Sequence, residues 1–156
     1  MRLGWAARRE PGNGKICTVS KVFFDTSILI YQMDRKNLTK RNTCRELVRR
    51  AAANGEAVIS TQVLQEFYVV ATKKLHLDPI ISKGIMHTFE NMEVVTIGKD
   101  AINEAIDASI QYKLSFWDAL ILTAAENAKC EILYSEHLNQ GQVMRNVKIV
   151  NPLKIE

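Results

Sequence analysis

Two periods of apolar residues alternate along the chain. Short β-rich runs, KVFFD at 21–25, EAVIS at 56–60, EVVTI at 93–97, EILYS at 131–135 and VKIV at 147–150, are separated by longer stretches with apolar residues at helical spacing. The helical stretches each carry a start signal. Thr26 or Ser27 is expected to cap TSILIYQM, Ser60 or Thr61 opens a helix to about Leu75 with Val63, Leu64, Phe67, Val70 and Ala71 inward, and Asp78 followed by Pro79 opens another. Residues 39–53 place Cys44, Leu47, Val48 and Ala51 on one face beside Arg41, Arg45 and Arg49, and Asn54-Gly55 closes the segment. KDAINEAIDASIQY is expected to turn Ile102, Ala105, Ile106, Ser109 and Ile110 inward, and SFWDALILTAAENAK reads as a helix buried on several sides. Strands separated by helices predict an α/β fold: a three-layer α/β/α sandwich with a mainly parallel sheet of four or five strands and right-handed crossovers.

Composition narrows this little further. With 156 residues, 47% hydrophobic and 24% charged, the chain has single-domain length and a globular balance. Cys17, Cys44 and Cys130 are odd in number and scattered, so neither a disulfide framework nor a thiolate zinc site is signalled, and a reducing, cytoplasmic setting is expected. No apolar run approaches the roughly 18 residues of a membrane helix. The first 20 residues, with Gly4, Pro11, Gly12 and Gly14 and no apolar period, read as a basic leader ahead of a domain over 21–156.

Charge placement is more informative than the net +4. Residues 34–50 hold seven bases against Asp34 and Glu46, whereas residues 51–156 sum to −4. A chain that is basic early and acidic late suits a polyanion held beside an acidic pocket. Arg41, Arg45 and Arg49 are the candidates for phosphate contacts.

In an open parallel sheet, ligands sit beyond the carboxyl ends of the strands. Asp25 directly follows an apolar strand, where an ionised carboxylate is costly unless hydrogen-bonded or facing a cation. Glu66 stands about two turns into the helix after EAVIS, and Asp118 is surrounded by the aromatic and aliphatic residues of FWDALIL. Each has a plain alternative: a helix cap for Asp25, a solvated helix acid for Glu66, a first-turn acid favoured by the helix dipole for Asp118. Together, three carboxylates from three elements suit a hard divalent cation such as Mg²⁺ or Mn²⁺, which activates water and neutralises charge on a phosphodiester. His76 and His87 have no partner at ligand spacing, and Phe116 and Trp117 are expected in the core rather than stacking on bases.

These residues carry a resemblance. FFDTSILIY at 23–31, STQVLQEFYVV at 60–70, LSFWDALILTAA at 114–125 and LYSEHLNQGQ at 133–142 resemble, in order, the segments of a PIN domain, and within that family the VapC-type ribonuclease toxins of toxin-antitoxin modules. The resemblance implies a Mg²⁺- or Mn²⁺-dependent endoribonuclease with Asp25, Glu66 and Asp118 as catalytic metal ligands. Thr26, Ser27 and Ser135 match the small hydroxyl positions beside them. It also implies an RNA substrate, a cognate antitoxin protein and a homodimer; no association with a membrane is expected, because no apolar run is long enough to span one.

One departure stands out. The family commonly has an Asp directly after SE, and this chain reads SEHLN, with His137 in that place. Either Glu136 replaces it by a small shift, or His137 supplies a nitrogen ligand or carries a proton, or that part of the site is lost. The competing reading is a degenerate PIN domain that binds RNA or protein without cutting. An aspartyl-nucleophile phosphatase, which also opens on an acid after an apolar strand, needs a second acid two residues on, where this chain has Ser27.

Overall fold

The central strand β1, Val22–Phe24, is buried along its whole length, with Phe23 and Phe24 fully shielded from solvent. A strand buried on both faces must be apolar throughout, which is why VFF does not alternate. The computed structural model describes residues 19–154; the leader expected over residues 1–20, apart from its last two residues, and Cys17 lie outside the described residues. After β1 come α1 (Thr26–Tyr31), α2 (Leu38–Ala53), β2 (Ala57–Ser60), α3 (Thr61–Lys73), α4 (Pro79–His87), a 3₁₀ turn (Thr88–Asn91) and β3 (Glu93–Val95). The chain then forms α5 (Lys99–Tyr112), α6 (Phe116–Asn127), β4 (Ile132–Tyr134), β5 (Val143–Met144) and β6 (Val147–Val150).

The sheet order is β3-β2-β1-β4-β6-β5, parallel except for the β5–β6 pair. The chain therefore winds from β1 outward to β3, then returns across the sheet through α5 and α6 to β4 on the other side of β1. Helices α1 to α4 pack among themselves and α5 packs on α6; with right-handed crossovers the two groups take opposite faces, completing the three layers. The reversal of strand order falls between β1 and β4, and the crevice there opens at the ends of those strands where Asp25 and Ser135 stand.

Four expectations from sequence are corrected. Asp25, not Thr26 or Ser27, caps α1, its carboxylate accepting from the Thr26 N–H. On α5 the inward residues are Ala101, Ala105 and Ala108, whereas Ile102, Ile106 and Ile110 are exposed, Ile110 by 72%. The reason is close approach: Ala105 and Ala108 meet Ala119 and Leu120 of α6, and isoleucines there would hold the helices apart. Trp117 is 62% exposed rather than core. The sheet has six strands, because Arg145 and Asn146, both at positive φ, make a two-residue hairpin turn that folds β5 back on β6. Ser60, one of the two expected openers, caps α3, which runs to Lys73 with Lys74 as its C-cap. Gly55, at φ +70°, ends α2 as its Asn-Gly signal predicts.

The core on the α3 side is anchored by Phe67, fully buried and edge-on to Phe89 at 5.0 Å between ring centroids. Phe67→Ala should cost about 3–5 kcal/mol of stability, while Ile110→Ala should stay within about 0.5 kcal/mol. Urea unfolding of the two variants checks both the core and the assignment of the α5 faces.

Candidate active site

Asp25 is 7% exposed at the junction of β1 and α1. Its main-chain N–H donates to the Tyr134 carbonyl at 3.0 Å, which fixes the backbone against β4. Its Oδ1 accepts from the Thr26 N–H at 2.7 Å and its Oδ2 from the Ser135 hydroxyl at 2.8 Å. Burial pushes the Asp25 carboxyl above its ordinary value; the bonds from Ser135 and Thr26 and the charge of His137 oppose this, and the charge of Glu66 adds to it. Both hydrogen-bond partners are neutral, so the buried charge has no full compensation within its own shell.

Glu66 projects from α3 towards the same crevice. Its Oε2 accepts from the Thr26 hydroxyl at 2.6 Å, and its Oε1 from Gln62 Nε2 at 2.9 Å, one helical turn earlier. The Gln62 amide also donates to the Trp117 carbonyl at 3.2 Å. One hydrogen-bonded chain thus runs from Asp25 through Thr26, Glu66 and Gln62 to the first turn of α6, tying three elements together. Asp118 sits in that first turn, where the Ser115 hydroxyl both accepts from the Asp118 N–H at 3.1 Å and donates to Asp118 Oδ2 at 2.8 Å. The positive end of α6 favours the acid there. The plain readings of Asp25 as a cap and Asp118 as a first-turn acid are therefore true of their backbones, and their carboxylates still face one cleft.

That cleft, of about 800 Å³, is lined by Asp25, Glu66 and Asp118 together with Thr26, Ser27, Gln62, Trp117 and His137. The Ser27 hydroxyl is buried with no partner among the described residues. Beyond β4, consecutive residues part company: Ser135 bonds Asp25, and His137 lines the cleft with its main-chain N–H donating to the Ser135 hydroxyl at 3.2 Å. Glu136 turns to a different groove, where it accepts from the Tyr31 hydroxyl and pairs with Lys40 at 3.1 Å. Burial pushes the Glu136 carboxyl up, but those two partners outweigh it and hold the group below its usual range. Of the two candidates for the missing acid, His137 is thus at the cleft and Glu136 is not.

The basic stripe is divided as well. Arg41 and Arg45 line a groove that adjoins the cleft along Ile30, Tyr31, Lys74 and Leu75, with Arg45 Nε donating to the Gln32 carbonyl at 2.7 Å. Arg49 instead pairs with Glu46 at 2.7 Å on the exposed side of α2. His76 and His87 are exposed and outside the cleft. Cys44 and Cys130 are free and buried, their thiols pushed up to about 11 and about 12, which leaves them protonated and unreactive. Gln62, Tyr31 and Lys40 were not legible as site residues. The only sequence signal for Gln62 is a polar residue four positions before Glu66 on an otherwise apolar helix face.

The donor set fits a hard divalent cation. It is all oxygen apart from His137, and the buried Asp25 carboxylate lacks a charged partner. Among the described residues no three His, Cys, Asp or Glu side chains are drawn together tightly enough to enclose an ion. No helix among the described residues is long and apolar enough to cross a membrane.

Comparison with known proteins agrees with this architecture. The chain is similar to a chain of a toxin-antitoxin complex from Klebsiella pneumoniae, at 24% identity and a TM-score of 0.65, over 86% of this chain and 100% of that one. It is also similar to a chain of DNA-bound VapBC from Salmonella typhimurium, at 18% identity and a TM-score of 0.62, over 83% of this chain and 96% of that one. A third similar structure is the sarcin-ricin-loop-cleaving VapC toxin of Mycobacterium tuberculosis, at 16% identity and a TM-score of 0.61, covering 74% and 88% of the two chains. At these identities the likeness is one of fold. No curated protein matches the chain. The model of the PIN domain matches residues 22–138, from β1 through the turn after β4, and the chain belongs to the PIN domain family.

Proposed function

We propose that this protein is a Mg²⁺- or Mn²⁺-dependent endoribonuclease, the toxin of a toxin-antitoxin pair acting in the cytoplasm. The observation that carries the reading is the convergence of Asp25, Glu66 and Asp118, from three separate elements, on one cleft at the strand reversal. PIN domains are typically nucleases, and the similar solved structures are toxins of toxin-antitoxin complexes. These three carboxylates would hold the cation, which when bound supplies activation of water and neutralisation of charge on the phosphodiester. Ser135 and the Thr26 N–H aim the Asp25 carboxylate and oppose the effect of its burial, while Thr26 and Gln62 fix the rotamer of Glu66. Ser27 lines the cleft and is the further residue we assign to substrate positioning; its hydroxyl is buried and has no partner among the described residues. His137, exposed at the cleft, stands where it can donate to the substrate or the cation. An antitoxin and a second copy of the chain are the partners this reading implies.

A second reading, a degenerate PIN domain that binds RNA without cutting, is favoured by His137 in place of the family acid and by the loose spacing of the donors. Total RNA incubated with the purified protein and Mg²⁺ or Mn²⁺ separates the two. Cleavage should appear, vanish with EDTA, and fall at least about 100-fold in Asp118→Asn, the scale of losing an electrostatic contact to the transition state. Absence of cleavage by the wild type, with activity gained in His137→Asp, would instead establish the degenerate reading.

The buried Asp25 gives a stability signature independent of activity. Its folded value is raised above the ordinary 3.8, so its favourable contribution is complete below that pH and is lost as pH rises through the folded value. Asp25→Asn should therefore be more stable than wild type at pH 7, with the advantage shrinking as pH falls towards 4 in thermal unfolding. Added Mn²⁺ should stabilise the wild type, by about 2.7 kcal/mol at a concentration 100 times its Kd, and leave Asp25→Asn unmoved.

RNA contacts can be assigned between the two halves of the basic stripe. Arg45→Glu should reduce the slope of log affinity against log salt by about 0.7 or more, the value of one single-strand phosphate contact. Arg49→Glu, at a residue already paired with Glu46, should change it less. Fluorescence anisotropy over a salt series measures both.

A further inference from the structure

Lys40 is in an unfavourable place for its own helix. It lies in the first turn of α2, three residues after the cap Asn37, where the helix dipole disfavours a cation. Nothing about the helix accounts for it, but its surroundings do. Its ammonium stands 3.5 Å from the centroid of the Tyr31 ring and 3.1 Å from Glu136 Oε1, and the Tyr31 hydroxyl donates to Glu136 Oε2. Tyr31 is the last residue of α1 and Glu136 lies in the turn after β4, so three distant segments meet at one carboxylate. The Lys40 and Glu136 side chains are only 22% and 30% exposed, which strengthens the pair relative to one in open water.

The carboxylate held here belongs to the residue between two that face the cleft. Ser135 donates to Asp25, and His137 lines the cleft with its N–H tied back to Ser135. Anchoring Glu136 on the far side thus determines which way its two neighbours point. We propose that Lys40 and Tyr31 are positioning residues: by clamping Glu136 outside the cleft they fix the turn 135–137, keep Ser135 on Asp25 and present His137 to the site. The inference rests on the reading of the cleft as a cation site only for its metal readout. Partners that orient the groups around a cation are worth about 10- to 100-fold in its affinity.

Side-chain NMR of the three histidine rings tests this, with His76 and His87, both exposed elsewhere, as internal references. In metal-free Lys40→Met the His137 ring resonances should shift while the other two stay, and thermal unfolding should remain cooperative. Titrated Mn²⁺ should broaden His137 in the wild type, and in Lys40→Met its affinity should fall about 10-fold. Lys40→Arg, which keeps the charge, should restore both properties. Tyr31→Phe, which removes only the hydroxyl, should shift His137 in the same direction and serves if Lys40→Met does not fold. Unchanged His137 resonances in a folded, metal-free variant would overturn the clamp. Tighter Mn²⁺ binding in Lys40→Met would also overturn it, because Glu136 would then have entered the cleft as a ligand. Failure of Mn²⁺ to bind the wild type would refute the cation-site reading alone, and the metal-free shift would still decide the clamp.

Discussion

Burying the Asp25 carboxylate at the end of the central strand is the constraint around which this molecule is arranged. A charge taken from water into a protein interior costs several kcal/mol after relaxation, and Asp25 meets part of that cost with the Thr26 amide and the Ser135 hydroxyl. Each of those partners requires a piece of the fold. The amide is available because a helix begins at Thr26 and leaves its first N–H groups without intrahelical acceptors. The hydroxyl is available because β4 lies beside β1, in register from Val22 with Ile132 to Phe24 with Tyr134, which sets Ser135 next to Asp25. What the two partners leave uncompensated is the electrostatic motive for a cation.

The other acids are held by the same economy of groups. Thr26 serves Asp25 with its amide and Glu66 with its hydroxyl, so one residue couples the two carboxylates. Gln62 couples the second to the main chain at Trp117, beside Asp118. The acids therefore come from rigid elements, two of them at helix starts, and their mutual arrangement is set by helix packing rather than by loop conformation.

The turn after β4 carries Glu136 and His137 side by side, and the clamp on Glu136 gives their separation a physical form. A carboxylate adjacent in sequence to the replaced position is engaged by Lys40 and Tyr31, so proximity along the chain does not give it access to the cleft. An imidazole occupies the accessible place. Under the proposed function, a ring nitrogen among oxygen donors would move the site's preference from Mg²⁺ towards Mn²⁺ and the later divalent metals.

The sequence alone determined the alternation of strands and helices and the buried central strand, and it singled out three acids as candidates, whereas their hydroxyl neighbours came only from the family resemblance. These are local signals: an uninterrupted apolar run, a capping residue, or a charge among apolar neighbours is visible without knowing what lies across the fold. It misassigned the α5 face because isoleucine and alanine stripes both have helical spacing, and only the close approach of α6 selects the smaller residues. It missed the β5–β6 hairpin because Arg145-Asn146 lacks the glycine that usually marks such a turn. It could not separate Glu136 from His137, nor foresee Gln62, Tyr31 and Lys40, because their roles depend on contacts between residues 40 to 105 positions apart. Tertiary structure decided those, since the direction of a polar side chain is set by the partner that compensates its burial, and that partner is brought near only by folding.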